Sequence, residues 1–289
     1  MNAGPKLGAY ALLLAAVLGG GAAVGAAAGP IDVGGDTHDE SRQDNAMVAD
    51  LPAGLLVSQD GYTFAPENRA ADAGPFAFTI TGPDGLPVDT YDVLHDRELH
   101  LIVASQDLRQ YEHLHPERDA HGRWWVELPD LPAGAYRAFA DFQPSGADQY
   151  TLGVDLLAPG PTPTAEPLRP QSTDSVDGYD VTLEHDSSGD STVVTVTVRR
   201  DGRVITTEPY LGAAGHLVAL RDGDLAYLHV HPLDDEPAGP VRFAVEVPSA
   251  GSYALFFDFK VGGRVRTARF VVDAPVPLRR AASNRGASH

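Results

Sequence analysis

The chain contains no cysteine. Disulfide bridges, thiolate metal sites and cysteine nucleophiles are therefore excluded. Methionine occurs only as Met1 and Met47, so a methionine-rich Cu(I) site is excluded too. Lysine is limited to Lys6 and Lys260, and the formal net charge is −19. A protein that grips duplex nucleic acid needs a basic footprint, so nucleic acid is not expected as a partner. An acidic surface instead favours solubility and enriches cations nearby. Dinucleotide, P-loop, nucleophile-elbow and zincin fingerprints are all missing. Any metal must be held by histidine, carboxylate or backbone oxygen.

One apolar run is present, at the start. From Leu7 to Pro30 no side chain is charged, Lys6 precedes the run, and Asp32, Asp36, Asp39 and Glu40 come after it. This reads as an export segment with the rest of the chain outside the cytoplasm. Two versions stay open. Ala26-Ala27-Ala28 offers a cleavage site for a signal peptide, and the run is also long enough to remain as a membrane anchor. The membrane is then a partner through this segment only.

Proline and glycine divide the remainder of the chain. Residues 1–30 form the signal or anchor, 31–53 an acidic linker, 159–173 a proline-rich linker and 276–289 a basic tail. Between them lie two segments, 54–158 and 174–275, that repeat one another. "DGYTF" from Asp60 matches "DGYDV" from Asp177, and "VELP" from Val126 matches "VEVP" from Val245. "PAGAYRAFADF" matches "SAGSYALFFDF". Each copy carries short runs rich in β-branched and aromatic residues, bounded by Gly, Pro or Asp. No stretch between the linkers keeps a helical period. The expectation is an all-β protein of two tandem antiparallel, immunoglobulin-like sandwiches after the N-terminal segment. Tyr136 and Tyr253, each two residues after a glycine, suit the tyrosine corner of such a fold.

The histidines recur with the repeat. "YEHLHPE" holds His113 and His115, and "YLHVHPL" holds His229 and His231. His100 and His216 stand at the same spacing before each pair. On a strand, residues two apart share a face. If Ala104 pairs with Tyr111 in a hairpin, His100 lies opposite His115; the same register sets His216 opposite His231. Three converging imidazoles suit Cu(II) or Zn(II), with a fourth position for water or carboxylate. Asp141 and Asp258 also match between copies, and each could be a fourth ligand or an acceptor that orients an imidazole. The expected stoichiometry is two ions per chain, one at His100, His113 and His115 and one at His216, His229 and His231. The competing reading satisfies these rings with backbone carbonyls at a sandwich edge. His38, His95, His121, His185 and His289 read as solvent-exposed.

At "LHLIVASQDLRQYEHLHPE" and "YLGAAGHLVALRDGDLAYLHVHP" the chain resembles a group of exported or membrane-anchored tandem β-sandwich proteins of actinobacterial type, labelled heavy-metal-binding or secreted. The resemblance implies an extracytoplasmic role in handling copper or another heavy metal. It implies no reaction. Three function classes remain: a divalent-metal-binding protein, a structural or adhesive pair of sandwiches without metal, and a metal-dependent hydrolase or hydratase with an open three-histidine site. The sequence names no protein partner.

Overall fold

A computed structural model describes residues 51–274, apart from 163, 165, 189, 190, 229 and 234–238, and without the side chains of 187, 188, 191 and 231. The export segment, most of the acidic linker, the tail and His229 lie outside the described residues. The described residues form strands and turns, with no helix among them.

The first repeat contributes β1 (Ser58–Gln59), β2 (Tyr62–Pro66), β3 (Gly74–Thr81), β4 (Leu99–Ser105), β5 (Tyr111–Leu114), β6 (Glu117–Arg118), β7 (Arg123–Leu128), β8 (Gly134–Phe142) and β9 (Tyr150–Ala158). The second contributes β10 (Thr173–Val176), β11 (Tyr179–Ser188), β12 (Ser191–Arg200), β13 (Arg203–Val204), β14 (His216–Arg221), β15 (Tyr227–Leu228), β16 (Val230–Pro232), β17 (Val241–Val245), β18 (Gly251–Val261) and β19 (Arg264–Ala274). The Asp-Gly dipeptides noted in the sequence make two-residue hairpin turns. Asp60 and Gly61 have φ of 50° and 86°, Asp177 and Gly178 of 50° and 79°, as a primed turn between antiparallel strands requires.

Each repeat is an antiparallel sandwich with an immunoglobulin-type strand order. In the first, β2-β3-β7-β6 faces β5-β4-β8-β9; in the second, β11-β12-β17-β16 faces β15-β14-β18-β19. These are the A-B-E-D and C′-C-F-G sheets of that architecture. Phe64, Phe78, Leu101, Trp124, Phe142 and Leu152 fill the first core, and Val181, Val196, Phe243, Phe257, Phe259 and Phe270 the second. The tyrosine corners close as the fold requires: Tyr136 donates its hydroxyl to the Pro132 carbonyl at 2.7 Å and Tyr253 to that of Ser249 at 2.8 Å.

The two sandwiches are joined by a third core. Strand β4 is buried along its whole length. Leu99, Leu101 and Val103 face the first core, while Ile102 and Ala104 face away from it, as a period of two dictates. Val218 and Leu220 of β14 do the same in the second repeat. These outward residues meet one another, with Phe139 and Phe256, and Leu168 of the proline-rich linker packs against them. The packing is reciprocal. Tyr111 stacks on Phe256 of the other repeat at 4.2 Å between ring centroids, and Tyr227 meets Phe139 at 5.6 Å. Each large apolar side chain removed from water here contributes about 1.5–3 kcal/mol.

Candidate metal centre at the junction of the repeats

Each repeat prepares its first histidine in the same way. A tight turn precedes the strand, closed by paired backbone bonds between Leu94 and Arg97 in one copy and between Tyr210 and Ala213 in the other. His95 and Asp96 take φ of 48° and 61°, and Leu211 and Gly212 of 52° and 73°. The turn aims a carbonyl at the following imidazole. His100 Nε2 lies 3.0 Å from the Leu94 oxygen and His216 Nε2 lies 3.1 Å from the Tyr210 oxygen. A carbonyl only accepts, so both rings carry hydrogen on Nε2 and, when neutral, present Nδ1 as a lone pair.

The β4–β5 hairpin brings in the other two rings. The register places Ala104 against Tyr111, as the sequence suggests, but the ladder ends at Leu101 against Leu114. His115 therefore lies beyond the ladder rather than directly opposite His100. Its ring still reaches the others. The ring centroids of His100, His113 and His115 are 5.2, 5.3 and 4.9 Å apart, and one nitrogen from each lies within 4.8 Å of the other two. Imidazoles sharing an ion at the usual 2.0–2.1 Å have centroids about 5 Å apart.

His113 is oriented from the other repeat. Its Nδ1 lies 2.8 Å from Asp258 Oδ2, and Asp258 also accepts from Tyr111 at 3.3 Å and from Thr267 at 2.6 Å. Asp258 is 2% exposed. A hydrogen on His113 Nδ1 leaves Nε2 as the lone pair, and that atom sits 3.0 Å from His100 Nδ1. Two lone pairs at this distance repel, and only a cation between them, a metal ion or a proton, turns the contact into an attraction. His115 Nε2 is buried with no hydrogen-bond partner, a state that costs about 1–3 kcal/mol when left uncompensated.

Burial and mutual repulsion favour the neutral form of His100, His115 and His216. Burial, then the His113 ring, pushes the His100 pKa down to about 2, and the same two causes in the same order push His115 to about 3. His216 is pushed to about 4, again by burial and then His113. Neutral imidazole is the ligand form.

The second predicted trio is only partly described. His216 lies within 6.1 Å of His100 and 5.9 Å of His113 between ring centroids, so it stands beside the first trio and not in a remote site. His229 is outside the described residues, as is the side chain of His231. The backbone of His231 pairs with Ala244 in the opposite sheet, so the register that sets it opposite His216 does not form. The β14–β15 ladder is confined to Ala219–Leu228 and Leu220–Tyr227, and the chain changes sheet directly afterwards.

The two aspartates differ in role. Asp258 holds His113 across the junction. Asp141 stands opposite His100 in the β4–β8 register and accepts from Gln149 at 2.9 Å and Thr151 at 3.1 Å. It lines a cavity of about 70 Å³ together with His95, His100, His113 and His216. His95 is the residue that sequence reasoning missed. It is exposed, as expected, yet its ring lies 5.1 Å from that of His216 and 6.0 Å from that of His100. It has no counterpart in the second copy, so the internal comparison held no signal for it. Tyr111 and Tyr227 did carry one, since both copies place a tyrosine two residues before the His-x-His pair.

Fold and site together define a tandem of immunoglobulin-type sandwiches with a histidine cluster where the repeats meet. The chain belongs to the family described as Domain of unknown function (DUF8832), which matches residues 57–154 and again residues 174–275. No curated protein matches it in sequence. Among solved structures it is similar to a DUF4426 family protein from Pseudomonas aeruginosa, at 13% identity and a TM-score of 0.28 over 36% of this chain and 96% of that one. A two-domain fibronectin type III segment of chicken tenascin matches at 8% identity and a TM-score of 0.23, over 73% of this chain and 97% of that one. Invasin, a bacterial integrin-binding protein, matches at 12% identity and a TM-score of 0.20, over 72% of this chain and 39% of that one.

Proposed function

We propose that the protein is an extracytoplasmic structural body of two fused sandwiches, and that it holds a divalent ion, Cu(II) or Zn(II), at His100, His113 and His115. The structural or adhesive part of this reading is the better supported and needs no ion. It rests on β4, buried on both faces, and on the reciprocal tyrosine–phenylalanine contacts that make the tandem one unit. In its strict form it leaves the histidines to their carbonyl and carboxylate partners.

The metal reading rests on one observation. Leu94 and Asp258 fix the tautomers of His100 and His113 so that lone pairs meet at 3.0 Å, beside the unpartnered nitrogen of His115. Extracytoplasmic placement is supported by the uncharged run from Leu7 and its acidic flank. Among the described residues no helix is long and apolar enough to cross a membrane.

The test is competition titration of the full chain with a chromophoric chelator for Zn(II) and for Cu(II). Replacing His113 and His115 by alanine should remove one equivalent of bound ion. Unchanged binding would return these rings to a purely structural role.

A further inference from the structure

The proposed ion site draws its ligands from the first repeat, but the group that sets the geometry of one ligand comes from the second. Asp258 stands in β18, opposite His216 of β14. Its carboxylate reaches across the junction to His113 Nδ1 at 2.8 Å, and both side chains are almost fully buried, at 6% and 2% exposure. A hydrogen bond of this kind fixes a ligand's tautomer and ring angle. Tyr111 donates to the same oxygen and stacks on Phe256, two residues before Asp258. The polar contact and the apolar junction are therefore built by the same two strands, β5 and β18.

We propose that Asp258 is a positioning residue for a metal ligand of the opposite repeat, so that a bound ion clasps the two sandwiches together. This rests on the metal reading of the trio. The linkage runs both ways: docking of the second repeat raises affinity at the trio, and an ion at the trio stabilises the docking by the same factor. The ion's chemical class is a borderline divalent cation that favours imidazole nitrogen, which Zn(II) and Cu(II) represent.

The experiment uses the full chain, wild type and Asp258→Asn, with Zn(II) as the probe. Loss of an orienting carboxylate of this kind lowers affinity about 10–100-fold, and D258N should weaken Zn(II) binding within that range. A stability role alone would not change what hydrogen exchange reads on metal addition. In the wild type, Zn(II) should slow amide exchange in β14 and β18 of the second repeat, which supply none of the three ligands, as well as in β4 and β5. In D258N the protection should shrink to β4 and β5. If D258N binds Zn(II) as tightly as the wild type, or if wild-type protection stops at β4 and β5, the clasp is wrong while the metal site stands. If the wild type binds no Zn(II) or Cu(II), both fall. Should D258N fail to fold, the wild-type exchange map alone decides.

Discussion

The two repeats approach their first histidine through turns of the same shape and different composition. The first copy reads Leu94-His95-Asp96-Arg97-Glu98-Leu99 and the second Tyr210-Leu211-Gly212-Ala213-Ala214-Gly215. Both take the left-handed conformation at the second and third positions, and both aim a carbonyl at the imidazole Nε2. The small residues of the second copy have a packing cause at one point. A Cβ on Gly215 would meet the Phe257 ring at 2.6 Å and the Asp258 carbonyl at 2.9 Å. The first copy carries His95, Asp96 and Arg97 at the matching surface, all exposed. What the unit keeps is the clamp that fixes the histidine tautomer; charge and bulk around it are free to differ.

The largest test of this comparison concerns the faces on which the repeats meet. Phe256 points away from its own sandwich core, yet it is 1% exposed. Phe256→Ala should destabilise the protein by about 3–5 kcal/mol in urea unfolding, like a core residue. A change near zero would mean that the sandwiches stand apart.

Swapping the turns gives the next effect. Gly215→Leu copies the first repeat's Leu99 into the second and should cost about 1–3 kcal/mol by overpacking, or more if Phe257 cannot move. Thermal unfolding that leaves the midpoint unchanged would remove the packing cause offered for this glycine.

Acid should act on both repeats at once. His100, His115 and His216 have folded-state values near 2, 3 and 4, against an ordinary value of 6.5. Below 6.5 the unfolded chain takes up protons that the folded protein refuses, so these rings favour folding above 6.5 and lose that contribution as pH falls toward 4 and below. Metal-free protein should therefore show a midpoint that drops steadily below pH 6.5. A flat profile between pH 7 and 4 would show that the rings are more solvated than their burial implies.

The tyrosine corners should respond least. Tyr136→Phe removes the bond to the Pro132 carbonyl; Tyr253→Phe removes the bond to the Ser249 carbonyl and a longer one, 3.3 Å, with the Ser249 hydroxyl. Each corner bond should be worth about 0.5–1.5 kcal/mol in urea unfolding.

Much of this was legible in the chain. The repeat, the strand class, the tyrosine corners and the Ala104–Tyr111 register all come from local pattern. The junction does not, although it left a trace. "LHLIVAS" and "HLVAL" lack the alternation of a strand with one wet face, and a continuous apolar run signals burial on both sides. Which surface covers the second side is a long-range fact that no local period encodes. The same limit applies to Asp258. Its match with Asp141 marked it as part of the unit, but its partner His113 belongs to the other copy. His231 left its expected register because the chain crosses between sheets just after Leu228, and the pairing rule for a simple hairpin has no term for that.

The most direct measurement is long-range proton–nitrogen correlation of the imidazole rings in the full chain, before and after one equivalent of Zn(II). His100 and His216 should show hydrogen on Nε2 and His113 on Nδ1, and His100 Nδ1, His113 Nε2 and one nitrogen of His115 should move together to metal-bound shifts. If these three nitrogens stay where they are, with a proton held between His100 and His113, the cluster is a hydrogen-bonded junction and the metal site is wrong.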